Sequence, residues 1–254
     1  MTEPVLIERR DAITVLTVNR PEARNAINLA AAKAIESAVD EFEADDSARV
    51  LVLTGAGGTF SAGMDLVAAS KGELPMTERR GPLGITARPP VKPMISAVEG
   101  FALAGGFELA LSGDLIVAAA DAKFGIPEAK RGLVAAGGGV LRLTQRLPRP
   151  IVAELAFTGN RISAERLYQL GLVNRVVEPG GALAAALDLA AEIVATAPLS
   201  AAASKRIIDE SPDWSMAEGF AKQGEIALPV LASEDAAEGA LAFAQKREPQ
   251  WRGR

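Results

Sequence analysis

Two short runs rich in β-branched and apolar residues, Val5-Leu6-Ile7-Glu8-Arg9 and Ala12-Ile13-Thr14-Val15-Leu16-Thr17-Val18, flank Arg10-Asp11 and predict a hairpin. From Asn28 to Ala44 the apolar positions Ile35, Ala38, Val39 and Phe42 recur at helical spacing, with Asn28 placed to cap the helix. Arg49-Val50-Leu51-Val52-Leu53-Thr54 reads as a strand running into Gly55-Ala56-Gly57-Gly58. Two more strands are expected at Met94-Ile95-Ser96-Ala97-Val98 and Leu115-Ile116-Val117-Ala118, with Gly105-Gly106 opening a short helix between them. Gly72 to Pro93 turns to Gly, Pro and charge, and is expected to be a mobile surface loop beside a site, with no catalytic residue of its own. Beyond Pro148 the pattern becomes helical: an Ala-rich stretch from Ala182 to Ala195, then amphipathic segments at Ala201 to Ile208 and Ser215 to Leu231. The whole reads as an α/β protein with one main domain and a helical tail whose apolar stripes need a partner, in the same chain or in a second copy.

Composition narrows the chemistry. Hydrophobic residues make up 49% of the 254 and aromatic ones only 4%, so Ala, Val, Leu and Ile must build the core. His and Cys are both absent. That removes Ser-His-Asp and Cys-His triads, imidazole or thiolate zinc sites, disulfides and thiol redox work, and leaves carboxylates, Lys, the single Tyr168 and backbone amides. A net charge of −5 with scattered basic residues argues against nucleic acid as a partner. Met1-Thr2-Glu3-Pro4 has no basic stretch leading into an apolar one, and charges interrupt every apolar run, so the expected protein is cytoplasmic, with no membrane partner.

Two segments share one physical form, small residues between a strand and a helix start: Phe60-Ser61-Ala62-Gly63-Met64-Asp65-Leu66 and Ala102-Leu103-Ala104-Gly105-Gly106-Phe107-Glu108-Leu109. Small residues admit a ligand close to the backbone, and unpaired NH groups there favour negative charge developing on an oxygen. Neither segment has the pattern of a phosphate-cradling or dinucleotide-binding loop.

Together with their order, these residues resemble the crotonase (enoyl-CoA hydratase/isomerase) superfamily. The resemblance starts at Asn19-Arg20-Pro21-Glu22-Ala23-Arg24-Asn25-Ala26-Ile27-Asn28 and passes through both glycine segments and Phe124-Gly125-Ile126-Pro127-Glu128. It goes on through Thr158-Gly159-Asn160-Arg161-Ile162-Ser163-Ala164 and Gly171-Leu172-Val173 to Ala242-Phe243-Ala244-Gln245-Lys246-Arg247-Glu248-Pro249. It implies a spiral of ββα units over 1–195 and a C-terminal helical region, 196–254, that serves trimerisation and site closure in a homotrimer or dimer of trimers. It implies that the amides of Met64 and Gly105 form an oxyanion hole and that Glu108 and Glu128 are the catalytic pair. Arg24, Ala26, Ala62, Gly63, Asp65, Leu66, Phe243 and Lys246 would contact coenzyme A, which enters as part of the substrate; no metal and no separate cofactor are implied.

The physics of the reaction fits those residue types. Adding water to a double bond conjugated with a thioester puts negative charge on the carbonyl oxygen, which two amides can hold, while two carboxyl groups activate water at C3 and exchange a proton at C2. The bland roles are Glu108 as an acid near a helix start, Glu128 and Asp65 as caps, and Lys246-Arg247 as a solvated end. The stretch Val134-Ala135-Ala136-Gly137-Gly138-Gly139-Val140 stands where similar hydratases often carry Pro-Gly, and with Phe107 and Glu128-Ala129-Lys130-Arg131-Gly132-Leu133 it also resembles carnitinyl-CoA dehydratase-like members. Hydration, that dehydration, a double-bond isomerisation and non-catalytic acyl-CoA binding are therefore the activities to separate.

Overall fold

In a computed structural model, which describes residues 3–254, the chain winds between two sheets. The reading of Met1-Thr2 as a leaderless start lies outside the described residues. The expected hairpin forms from β1 (Val5–Arg10) and β2 (Ile13–Val18), paired antiparallel from Val5 opposite Val18 to Arg10 opposite Ile13. Helix α1 (Leu29–Ala44) follows, and the Asn28 side chain accepts from the Ala31 amide at 3.0 Å, as the capping pattern predicts. β3 (Val50–Gly55) then lies parallel to β2.

After the one-turn helix α2 (Leu66–Ala69) and the small hairpin β4 (Met76–Thr77) and β5 (Gly81–Pro82), a strand, strand, helix unit appears twice. β6 (Met94–Val98) leads through Glu99-Gly100 to β7 (Phe101–Leu103) and α3 (Gly105–Leu111); β8 (Leu115–Ala119) leads to β9 (Lys123–Gly125), a short 3-10 turn and α4 (Gly139–Arg146). Helix α5 (Arg149–Thr158), β10 (Ile162–Ser163), α6 (Ala164–Gln169) and β11 (Arg175–Val177) complete the body, and α7 (Ala182–Val194), α8 (Pro198–Glu210), α9 (Met216–Leu231) and α10 (Glu234–Gln245) follow. The large sheet has the order β1-β2-β3-β6-β8-β11, and the second has β10-β9-β7.

A strand buried on both faces needs no polar alternation, which explains the unbroken Val50-Leu51-Val52-Leu53. Leu51 and Leu53 face the main core with α1, whereas Val50 and Val52 face Ala182, Ala186 and Ala190 of α7. Those alanines, four residues apart, form a flat stripe that seats the helix on the sheet.

Two expectations are corrected. The stretch after Pro148 is not purely helical, since β10 and β11 join the sheets there; strands of two or three residues are too short to show a period. The Gly72–Pro93 segment is pinned rather than a free surface loop. Arg80 is buried, donating to Asp40 at 2.8 Å and pairing with Glu43; Glu36 accepts the Arg79 and Arg80 amides, and Leu83, Ile85 and Thr86 pack inward. Among the described residues no single helix is long and apolar enough to cross a membrane.

Candidate active site

The segment carrying Met64 is held as an edge strand. The Ile27 amide donates to the Gly63 carbonyl at 2.7 Å and the Asp65 amide to the Ile27 carbonyl at 2.9 Å, so the parallel bridge uses the residues on either side of Met64 and leaves its own NH free. This differs from the expected origin of the free donor. Helix α2 is a single turn that begins two residues later, and strand register, not a helix end, frees the Met64 amide. Asp65 accepts from the Val67 and Ala68 amides and from Arg20 at 3.0 Å, which confirms its capping role.

Gly105 is freed differently. Ala104 sits at φ 52° and ψ −128°, a conformation costly for a residue with a Cβ, and it turns the chain abruptly from β7 into α3. The Gly105 amide makes no backbone hydrogen bond among the described residues. A Cβ on Gly105 would stand 3.3 Å from the Met64 nitrogen, and one on Gly63, at φ +91°, would stand 2.7 Å from the Gly105 nitrogen. The two donors are thus neighbours, and both residues line one cleft of about 1180 Å³.

Glu108 and Glu128 line the same cleft. Glu108 is only 5% exposed, so it is no solvated helix-start acid. Its Oε1 accepts from the Gly139 amide at 2.9 Å. A Cβ at Gly137 would come 2.6 Å from its Oε2, and one at Gly139 would come 3.0 Å from its Cγ. The unusual glycine run is therefore the wall of a backbone pocket fitted around this carboxyl. Burial pushes the Glu108 pKa up, against the amides of Gly139 and Gly137 and the charge of Arg142, which pull it down.

Glu128 begins the 3-10 turn after Pro127. Its Oε2 is buried with no hydrogen-bond partner, and its pKa is also pushed up, first by burial and further by the charge of Glu108. An orphaned buried carboxyl oxygen at a cleft wall is costly, and function explains its retention better than stability does.

Of the expected coenzyme A contacts, Arg24, Ala62 and Leu66 line the cleft beside Met64. Ala26, Gly63 and Asp65 lie directly behind them, Ala26 accepting from Arg20 through its carbonyl. Phe243 and Lys246 are not brought there. They end α10, with Phe243 88% exposed, and Arg247 pairs with Glu238. Tyr168 is on the outside. The sequence reading missed Leu83, whose Cδ1 would meet a Cβ on Gly105 at 2.9 Å, and Arg142, which binds the Thr86 carbonyl at 2.6 Å and the Gly137 carbonyl at 3.4 Å. Neither carries a motif; only folding brings them to the site.

A spiral of strand, strand, helix units with an anion-facing pair of amides at its turns defines a crotonase-type fold. A family model described as enoyl-CoA hydratase/isomerase matches residues 8–254, and the chain belongs to that family. A solved enoyl-CoA hydratase from Mycobacterium tuberculosis H37Rv superposes with a TM-score of 0.98 at 55% identity, covering 100% of both chains. A carnitinyl-CoA hydratase from Mycobacterium avium gives a TM-score of 0.80 at 42% identity, again over 100% of both. A carnitinyl-CoA dehydratase from Salmonella arizonae is 44% identical over 262 residues, covering 100% of each chain.

Proposed function

We propose that this protein is an enoyl-CoA hydratase, adding water reversibly across the 2,3 double bond of an enoyl thioester. The observation that carries this reading is the pair of unengaged amides at Met64 and Gly105 on one cleft wall with two buried carboxyls. The amides hold the thioester oxygen as it gains charge. Glu108 takes a proton from water as the oxygen attacks C3, and Glu128 delivers a proton to C2.

The electrostatics support that division. Both carboxyls are pushed up, but Glu108 has two amides and Arg142 favouring its ionised form, whereas the neighbouring Glu108 charge disfavours ionisation of Glu128. The pair thus splits into an ionised base and a proton-holding acid. Arg24, Ala62 and Leu66 are the wall for the coenzyme A moiety, and no separate cofactor enters. The C-terminal region, 196–254, is the part proposed to join copies into a trimer or dimer of trimers and to bring Phe243 and Lys246 into use; Met216, Phe220 and Phe243 are apolar and exposed along it. A cytoplasmic location belongs to the same reading.

Incubation with trans-2-butenoyl-CoA should remove the conjugated absorbance, whereas an isomerase would create it from the 3-enoyl substrate. Glu108→Gln and Glu128→Gln should each lower kcat about 10³-fold with KM little changed. Unaltered turnover in either variant would remove that residue from the mechanism, and tight binding without turnover by wild type would leave a carrier of acyl groups.

A further inference from the structure

The cleft wall says which acyl chains it can hold. None of its lining residues is Phe, Tyr or Trp. Phe42, Phe60, Phe107 and Phe124 are spent in the core, while Phe157, Tyr168, Phe220 and Phe243 point outward. Phe101, nearest in sequence to the wall residue Leu103, already has the Arg161 guanidinium over its ring at 4.9 Å. The wall instead offers aliphatic side chains, among them Leu74, Met76, Leu83, Leu133 and Val134, and four cations, Arg24, Lys130, Arg131 and Arg161.

Its only acids are Glu108 and Glu128. Glu108 has one oxygen engaged by Gly139, is fenced by Gly137, and has Arg142 behind it as counter-charge. Glu128 is the member of the pair whose ionised form its surroundings oppose.

A trimethylammonium group accepts no hydrogen bond and donates none. Burying it is favourable where aromatic faces or an uncommitted carboxylate meet it, and costly among aliphatic groups and like charges. A tert-butyl group of the same shape gains from burial in the same place.

We propose that this cleft admits a neutral aliphatic 2-enoyl chain and excludes one bearing a quaternary ammonium, in contrast to what the names of the carnitinyl-CoA relatives imply for those proteins. The inference rests on the hydratase reading for its kinetic form, but not for its binding form.

The test uses two isosteric thioesters, 5,5-dimethyl-trans-2-hexenoyl-CoA and its analogue with a trimethylammonium group on C4. With the full chain, kcat/KM should be at least about 100-fold higher for the neutral compound, and its Kd by calorimetry at least about tenfold lower. Equal or better hydration or binding of the cationic compound overturns the proposal. If neither compound nor trans-2-butenoyl-CoA is hydrated while the neutral one still binds more tightly, the selectivity stands and the hydratase reading falls.

Discussion

Arg142 shows how a residue with no role in any motif can govern one that has. Its guanidinium ties the Thr86 carbonyl, in the segment that supplies Leu83 to the cleft, to the Gly137 carbonyl, in the run that encloses Glu108. Glu108 is faced by Glu128 across the cleft and by Arg142 behind, and Arg142 in turn by Arg146 and Asp209. Removing the guanidinium removes a charge that lowers the Glu108 pKa. In Arg142→Met the acid limb of the pH profile of kcat/KM should therefore move to higher pH, and kcat should fall about tenfold. Arg142→Lys should restore the limb but not the full rate, because a point charge cannot span both carbonyls. A limb that stays in place would make the arginine purely structural. None of this was legible in the sequence, where Arg142 is one basic residue in a run of mixed polarity. Glu108 and Glu128 stood out there only through the resemblance, since the burial that distinguishes them from caps is a tertiary property.

At the scale of elements, the glycine run before α4 replaces a side-chain partner for Glu108 with backbone. The sequence marked this stretch as a departure, yet nothing in it said that the neighbour across the fold would be a carboxyl 2.6 Å from a would-be Cβ. Gly137→Ala should displace that carboxyl, lowering kcat about 100-fold while costing about 1–2 kcal/mol in denaturant unfolding. A kinetically silent Gly137→Ala would show that the carboxyl has room to retreat. The long elements were readable because burial repeats along them: α1 with its Asn28 cap, the two-faced β3, and the alanine stripe of α7. The 72–93 segment was not, because its order comes from single long-range partners such as Arg80 with Asp40 and Glu43.

For the molecule as a whole, two acids with raised pKa values set the sign of a pH effect. A carboxyl whose folded pKa lies above its unfolded value holds its proton more tightly in the native state, so stability falls as pH rises through the interval between the two values. Glu108 and Glu128 both contribute in that direction, above the ordinary carboxylate range. Glu128→Gln removes one such charge and should raise Tm by about 2 °C at pH 8 while flattening the decline above pH 5. If wild type and variant lose stability in parallel, the Glu128 carboxyl is better solvated than its orphaned oxygen indicates. The fold class could be read from the ordered strands and helices, but the closing of two sheets around one cleft could not, because Ser61 bridging Ala102 and Ile27 bridging Met64 are single contacts without periodicity.

The free amide of Met64 owes its position to the bridge on either side of it and not to the thioether that follows. Evolution can therefore vary that side chain to reshape the substrate's path without touching the electrical grip on the reacting oxygen. Proline is the one residue among the twenty that would erase the grip itself, by deleting its hydrogen. A scaffold that entrusts its charge handling to peptide groups in this way is free to diversify in what it accepts while its chemistry is inherited unchanged.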